Sequence, residues 1–298
     1  MARASFRLQT RDIAIVLAVL EHRVLSVVQI AALFWGKSDG AVSTYCRQRL
    51  RLLVEAGLLE RQEQPQTLSE GRRPYLYLMT QAGCQLLVDE LGYEPDEIDW
   101  TPASNRVTWS PFKAHQLALN DVFVAFKLGA PRVGWELKQW VDDRTLRRNH
   151  ASDRVRIADH EGHELETALI PDAYLVLSLP DPLTGVERWL HFFIEVDRAT
   201  EIVGDTSRSR RSWQRHIRAY NAYLDSVAVE SRYRTRSIRV LTVTTSARRL
   251  SNLQAVTKAE GGRSRYWFTT REKLSPETVL QAPIWYKADG DEPVALMR

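Results

Sequence analysis

The sequence predicts an α+β protein in two parts, and three observations lead there. The first ninety or so residues show helical apolar spacing that gives way to a short hairpin pattern; the last two-thirds alternate helical stretches with buried, strand-like runs; and a polar, proline-containing stretch lies between. With 298 residues, 44% of them apolar, the chain is long enough for two ordinary cores without disulfide support.

The first helix is expected over Thr10 to Glu21, where Ile13, Val16, Leu17 and Leu20 recur on one face. Ser26 is a candidate cap for a short second helix, Val27 to Phe34, and a Gly-Lys-Ser-Asp-Gly turn follows. The third helix, Gly40 to Ala56, buries Val42, Cys46, Leu50 and Leu53 and presents Ser43, Thr44, Arg47, Gln48 and Arg51 on the other side, with Gly57 ending it. From Leu58 the pattern turns to strand, breaks at a polar stretch ending Gly71-Arg72-Arg73-Pro74, and resumes over Tyr75 to Met79. Thr80 caps a closing helix, Gln81 to Leu91.

Three helices followed by a basic hairpin read as a winged helix-turn-helix. In such a domain the third helix places short polar and arginine side chains in the major groove of double-stranded DNA, while the wing, here carrying Arg72 and Arg73, reaches phosphates or the minor groove. A solvated helix face used for protein contacts is the competing account of the same residues.

The chain has a formal net charge of +4, and its basic residues are overwhelmingly arginine, whose planar fork suits phosphate oxygens better than a lysine point charge does. Nucleic acid is therefore the favoured partner class, although biased genomic composition accounts for the same excess. Cys46 and Cys84 lie far apart in predicted helices, as expected for reduced thiols, and supply no zinc set. Ile13 to Leu20 is too short to span a bilayer, so a cytoplasmic protein with no membrane partner is expected.

The linker is read over 93–111. Beyond it the expected order is a helix over Phe112 to Leu128, strands at Val133 to Val141, up to Leu177 and from Trp189 to Asp197, a helix over Ser207 to Leu224, and a strand over Ile238 to Thr244. That order is αβββαβ. A further helix, Ala247 to Ala259, and a strand, Arg265 to Thr270, follow. The turn Pro180 to Gly185 makes the second and third strands a hairpin.

Within these apolar strands stand Asp172, Glu195 and Asp197, where desolvating a charge is costly. Strand alternation puts Glu195 and Asp197 on one face, roughly 7 Å apart, a repulsion that a divalent cation relieves. Buried acids paired with arginines give the same pattern without chemistry. Arg208, Arg211, Arg215 and Arg218 recur at helical spacing after the strands and form a candidate phosphate track. His160-Glu-Gly-His163 lacks zinc-peptidase spacing and reads as a surface turn. His115 is expected to pack or cap, and Trp213 to pack in the core.

His115 to Asp121 on a helix, Ile-Pro-Asp-Ala around Asp172, and Phe-Ile-Glu-Val-Asp-Arg-Ala-Thr-Glu before an arginine-rich helix ending in Tyr220, all behind a winged helix, resemble the replication-relaxation family over most of the chain. Members are associated with plasmids and other mobile elements. The C-terminal part is similar to the PD-(D/E)XK nuclease superfamily, with its restriction-endonuclease-like fold. The division implied is 1–92 winged-helix DNA-binding domain and 112–298 nuclease-like domain.

The resemblance implies Asp172 and Glu195 as ligands of Mg²⁺ or Mn²⁺, with the Val196 carbonyl and Asp121 as further contributors. Where the superfamily pattern has a lysine two residues after the glutamate, this chain has Asp197, which cannot stabilise developing negative charge in the same way. Three functions stay open: a DNA-binding factor of mobile-element replication, relaxation or transfer, acting with a relaxase or as a homodimer; a metal-dependent endonuclease or nickase using Asp121, Asp172, Glu195 and Asp197; and a winged-helix transcription regulator.

Overall fold

The computed structural model describes every residue except 1–6, 37–39, 66–72, 107–109, 151–153, 159–161, 182, 201–202, 204–211 and 298. The chain is mixed α and β and divides into two compact units, Met1–Val124 and Ala125–Arg298.

In the first unit, α1 (Thr10–His22), β1 (Val24–Ser26), α2 (Val27–Trp35) and α3 (Thr44–Glu55) precede a hairpin of β2 (Leu59–Gln62) and β3 (Leu76–Met79), closed by α4 (Gln81–Leu91). The short strand β1 was not foreseen; it completes an antiparallel sheet of order β1-β3-β2. Ser26 caps α2 as expected: its hydroxyl accepts from the Gln29 N–H while the Gln29 side chain accepts from the Ser26 N–H. Thr80 caps α4. Ile15, Val16, Val19, Ile30, Cys46, Leu50, Leu53, Met79 and Leu87 form the core beneath.

The stretch read as a linker is partly folded onto this unit. Tyr93, Ile98 and Trp100 pack against its core, and Asn105, in α5 (Ala103–Arg106), donates to Glu60 Oε2 at 2.9 Å and to the Met79 carbonyl at 2.6 Å. The helix α6 (Pro111–Gly129) runs through the division between units. Its first turns are tied to the first unit because Asn120 donates to the carbonyls of His22 and Val24, and Leu117 packs against Val24, Leu76 and Leu78.

The second unit is built on a sheet of β4 (Glu136–Asp142), β7 (Ala173–Pro180), β8 (Glu187–Val196), β9 (Ile238–Thr244), β10 (Tyr266–Thr270), β11 (Trp285–Lys287) and β12 (Pro293–Val294). Its order is β12-β11-β10-β9-β8-β7-β4: the β4-β7-β8 pairs are antiparallel, and β8, β9 and β10 run parallel. The expected hairpin is present, with β7 buried on both faces, as its unbroken apolar run requires.

Between β4 and β7 the chain inserts α7 (Asp143–His150) and a separate hairpin of β5 (Arg154–Ala158) and β6 (Glu164–Ala168). Charged residues alternate with apolar ones there, which hid two half-buried strands; Val155 and Ile157 face the core that contains Ile217. Val133, expected in a strand, instead lies in a 3₁₀ turn ended by Gly134 in the left-handed region. Of the helix expected over Ser207 to Leu224, residues 207–211 fall outside the described residues; α8 (Trp213–Leu224) is capped by Ser212, whose hydroxyl accepts from the Arg215 N–H. After α8 come α9 (Val227–Tyr233), unforeseen, and α10 (Ala247–Ala259), as read.

Candidate nucleic-acid interface and acidic cluster

The exposed side of α3 carries Thr44, Tyr45, Arg47, Gln48 and Arg51, and its opposite side buries Cys46, Arg49, Leu50 and Leu53. Ser43, expected among the contact residues, is the cap: its hydroxyl accepts from the Cys46 N–H at 3.1 Å. Arg51 lies 3.5 Å from Glu55 one turn along, and both side chains are exposed. Such a pair contributes about 0.3–0.5 kcal/mol, little enough to be exchanged for a phosphate or a base edge.

Arg49, though on the same helix, is spoken for. Its guanidinium forks onto Asp12 of α1, which is fully buried, and also donates to the Arg7 carbonyl at 2.7 Å. The bond to Asp12 raises the arginine further above its ordinary range. The pair fixes α3 against α1 and so sets which α3 residues face outward. Beside the start of α3, Arg11 stacks 5.0 Å over the ring of Trp35, and Tyr45, half exposed, lies edge-on to the same ring at 6.3 Å. Between β2 and β3, Arg72 falls outside the described residues and Arg73 is half-buried.

In the second unit the β7–β8 register brings Ala173 opposite Ile194 and so sets Asp172 beside Glu195. Asp172 Oδ2 accepts from the Val196 N–H at 2.8 Å. Glu195 is buried, with Oε1 accepting from the Tyr220 hydroxyl of α8 and lying 3.2 Å from His216 Nε2. Burial pushes the Glu195 carboxyl above its usual range and the Asp172 charge adds to this, against the pull of His216. Burial and the neighbouring Glu195 likewise raise the Tyr220 hydroxyl.

Asp197 departs from the expected role. Its two oxygens accept from Arg249 Nε at 2.9 Å and Nη2 at 2.8 Å, and Thr244 donates a further bond at 2.6 Å. Arg249 was missed because it lies in another helix, fifty residues on. The available signal was topological: β8 and β9 are parallel neighbours and end at the same sheet edge, so the first turn of the helix after β9 meets the residue after β8.

Asp121 lies in the first unit, where it accepts from Gln29 Nε2 at 2.7 Å. The arginine track is also divided. Arg208 and Arg211 fall outside the described residues, Arg215 is half-buried on α8, and Arg218 is paired with Glu260 at 2.7 Å and donates to the Ala158 carbonyl. Trp213 is buried and donates to Thr257, which makes it core. His115 is half-buried on α6, and of the His160 to His163 turn only the second half is described.

A divalent cation needs several anionic oxygens turned towards one point. The residues as held do not fit one: Glu195 is engaged by Tyr220 and His216, and Asp197 is neutralised by Arg249. Among the described residues no group of three His, Cys, Asp or Glu side chains is placed to hold a metal ion.

The first unit thus pairs a helical core and hairpin with an outward-facing α3, and the second is a mixed sheet carrying a carboxylate pair. The replication-relaxation family model matches residues 17–240, most of the chain, and the protein belongs to that family. Membership points to a role in the replication or relaxation of plasmid and mobile-element DNA. The matched span includes the α3 face, Asp172, Glu195 and Asp197 and stops before Arg249. No curated protein and no solved structure matches the chain. No helix among the described residues is long and apolar enough to cross a membrane.

Proposed function

We propose that this protein binds double-stranded DNA of a plasmid or mobile element through a winged helix in its first unit. The second unit, a nuclease-like scaffold, then engages the backbone without cutting it. The observation that carries the reading is the division of labour along α3. Arg49 is locked inward on Asp12, while Thr44, Arg47, Gln48 and Arg51 stand exposed on one face, spaced to meet successive base edges. The half-buried Arg73 at the foot of the wing supplies a backbone contact.

The acids support the non-cleaving half of the proposal. Phosphodiester hydrolysis of the nuclease type needs anionic ligands for a metal and a cation for the developing charge. Here a buried glutamate held by Tyr220 and His216 and an aspartate held by an arginine occupy those places. In this chain Asp172, Glu195, His216 and Tyr220 tie the start of β7 and the end of β8 to each other and to α8.

Gel shift and plasmid assays test both halves. Wild-type protein is expected to shift duplex DNA, and Arg47→Ala with Arg51→Ala to weaken binding by about 1–3 kcal/mol for each arginine that reads a base. Supercoiled plasmid incubated with Mg²⁺ or Mn²⁺ is expected to stay closed. Unchanged binding in the α3 variant would refute the interface, and nicking abolished by Asp172→Ala would refute the non-cleaving scaffold.

A further inference from the structure

The face of the large sheet turned away from α8 carries two cations that make no ion pair among the described residues. Tyr266 and Phe268 belong to the core under α8, so Trp267 between them points to the other face. Lys287 is opposite Trp267 in the β10–β11 pair, and Arg239 is diagonal to it, two residues before its β9 partner Leu241. The Arg239 guanidinium lies 5.1 Å from the Trp267 ring centre and Lys287 Nζ lies 5.2 Å from it. Trp267 is itself buried and anchored by its N–H to the Ser264 carbonyl at 2.6 Å, so the indole is a fixed platform for both cations.

Other arginines near these strands are matched with acids: Arg236 with Glu230 at 2.7 Å and Arg265 with Asp225 at 3.1 Å. Among the described residues, Arg239 and Lys287 make no ion pair and no side-chain hydrogen bond; their described partner is the ring. Burial holds the Arg239 guanidinium below its usual range, with no carboxylate to offset the loss of water. A ring face attracts a cation but satisfies none of its N–H donors. An anion with several oxygens would satisfy the N–H donors that the ring leaves open.

We propose that Arg239 and Lys287, set on Trp267, form a phosphate-binding site in the second unit, separate from the acidic cluster and from α3. The phosphodiester backbone is the source that the proposed DNA binding supplies, and the site rests on that reading for its source alone. Because Trp267 is buried it offers no surface for a base to stack on, so the contact is sequence-independent.

The test is fluorescence anisotropy of the full chain with labelled duplex DNA over a series of salt concentrations. Arg239→Gln with Lys287→Gln is expected to keep the sequence preference of the wild type and to lower the slope of log K against log salt by about 0.9, equivalent to one phosphate. Arg239→Lys, which keeps the charge, is expected to restore most of the slope, and a fold defect would not respond to it. An unchanged slope in a double variant that melts like the wild type overturns the proposal. If the wild type binds no DNA, the α3 reading fails, and inorganic phosphate decides the site: quenching of tryptophan fluorescence, abolished in Trp267→Phe and in Arg239→Gln, supports it with free phosphate as the source. Absence of quenching overturns it.

Discussion

Asp197 and Arg249 form a two-pronged ion pair across the carboxyl ends of β8 and β9, with N···O distances of 2.9 and 2.8 Å and little exposure of either side chain. The Asp197 N–H also donates to the Val243 carbonyl, so backbone and side chain hold the residue at one place. A carboxylate held this way satisfies an arginine on the first turn of α10.

Removing one partner strands the other. Arg249→Ala is expected to lower stability by about 3 kcal/mol, because Asp197 is left desolvated without its cation. Combining it with Asp197→Ala is expected to cost clearly less than the two single changes together, as read by urea denaturation; strictly additive losses would contradict a coupled pair.

Glu195 gives a pH signature with a definite sign. Its carboxyl is raised above the ordinary 4.5, so the folded state binds the proton more tightly than the unfolded chain does. The stabilisation this gives is fully present below the unfolded value and is lost as pH rises through the raised folded value. Glu195→Gln is expected to flatten that decline and to be the more stable form near neutral pH. Thermal melts from pH 4 upward that run parallel for the two proteins would count against a raised carboxyl.

Asp12 and Arg49 make a second buried pair, which fixes the roll of α3. Asp12→Ala is expected to cost about 3 kcal/mol and to weaken DNA binding although it touches no DNA, while a double change to Asp12→Leu and Arg49→Met recovers much of the stability. Denaturation curves and gel shifts of the same samples separate the two effects, and full DNA affinity in Asp12→Ala would dissociate the pair from the interface.

Elements carried by apolar period were legible in the sequence. The bounds of α4, β9 and α10 stand as read, and the Pro180 to Gly185 turn closes the hairpin that sets Asp172 beside Glu195. What escaped was structure held by polar or distant partners. β5 has one buried face and β6 only a half-buried one, β1 is three residues long, and Asn105 folds an apparently featureless stretch onto β2 and β3. In the acidic cluster the types of residue were visible, but their partners were not. Tyr220 and His216 act on Glu195 across a helix–sheet interface, and Arg249 reaches Asp197 only because two parallel strands end together.

The most direct test of the base-reading role proposed for α3 is selection of bound duplexes from a random DNA pool by the full chain. Wild-type protein is expected to enrich a shared sequence, and the Arg47→Ala, Gln48→Ala, Arg51→Ala variant to retain bound DNA without enriching it. Enrichment of the same sequence by both proteins, or of none by the wild type, would contradict the account.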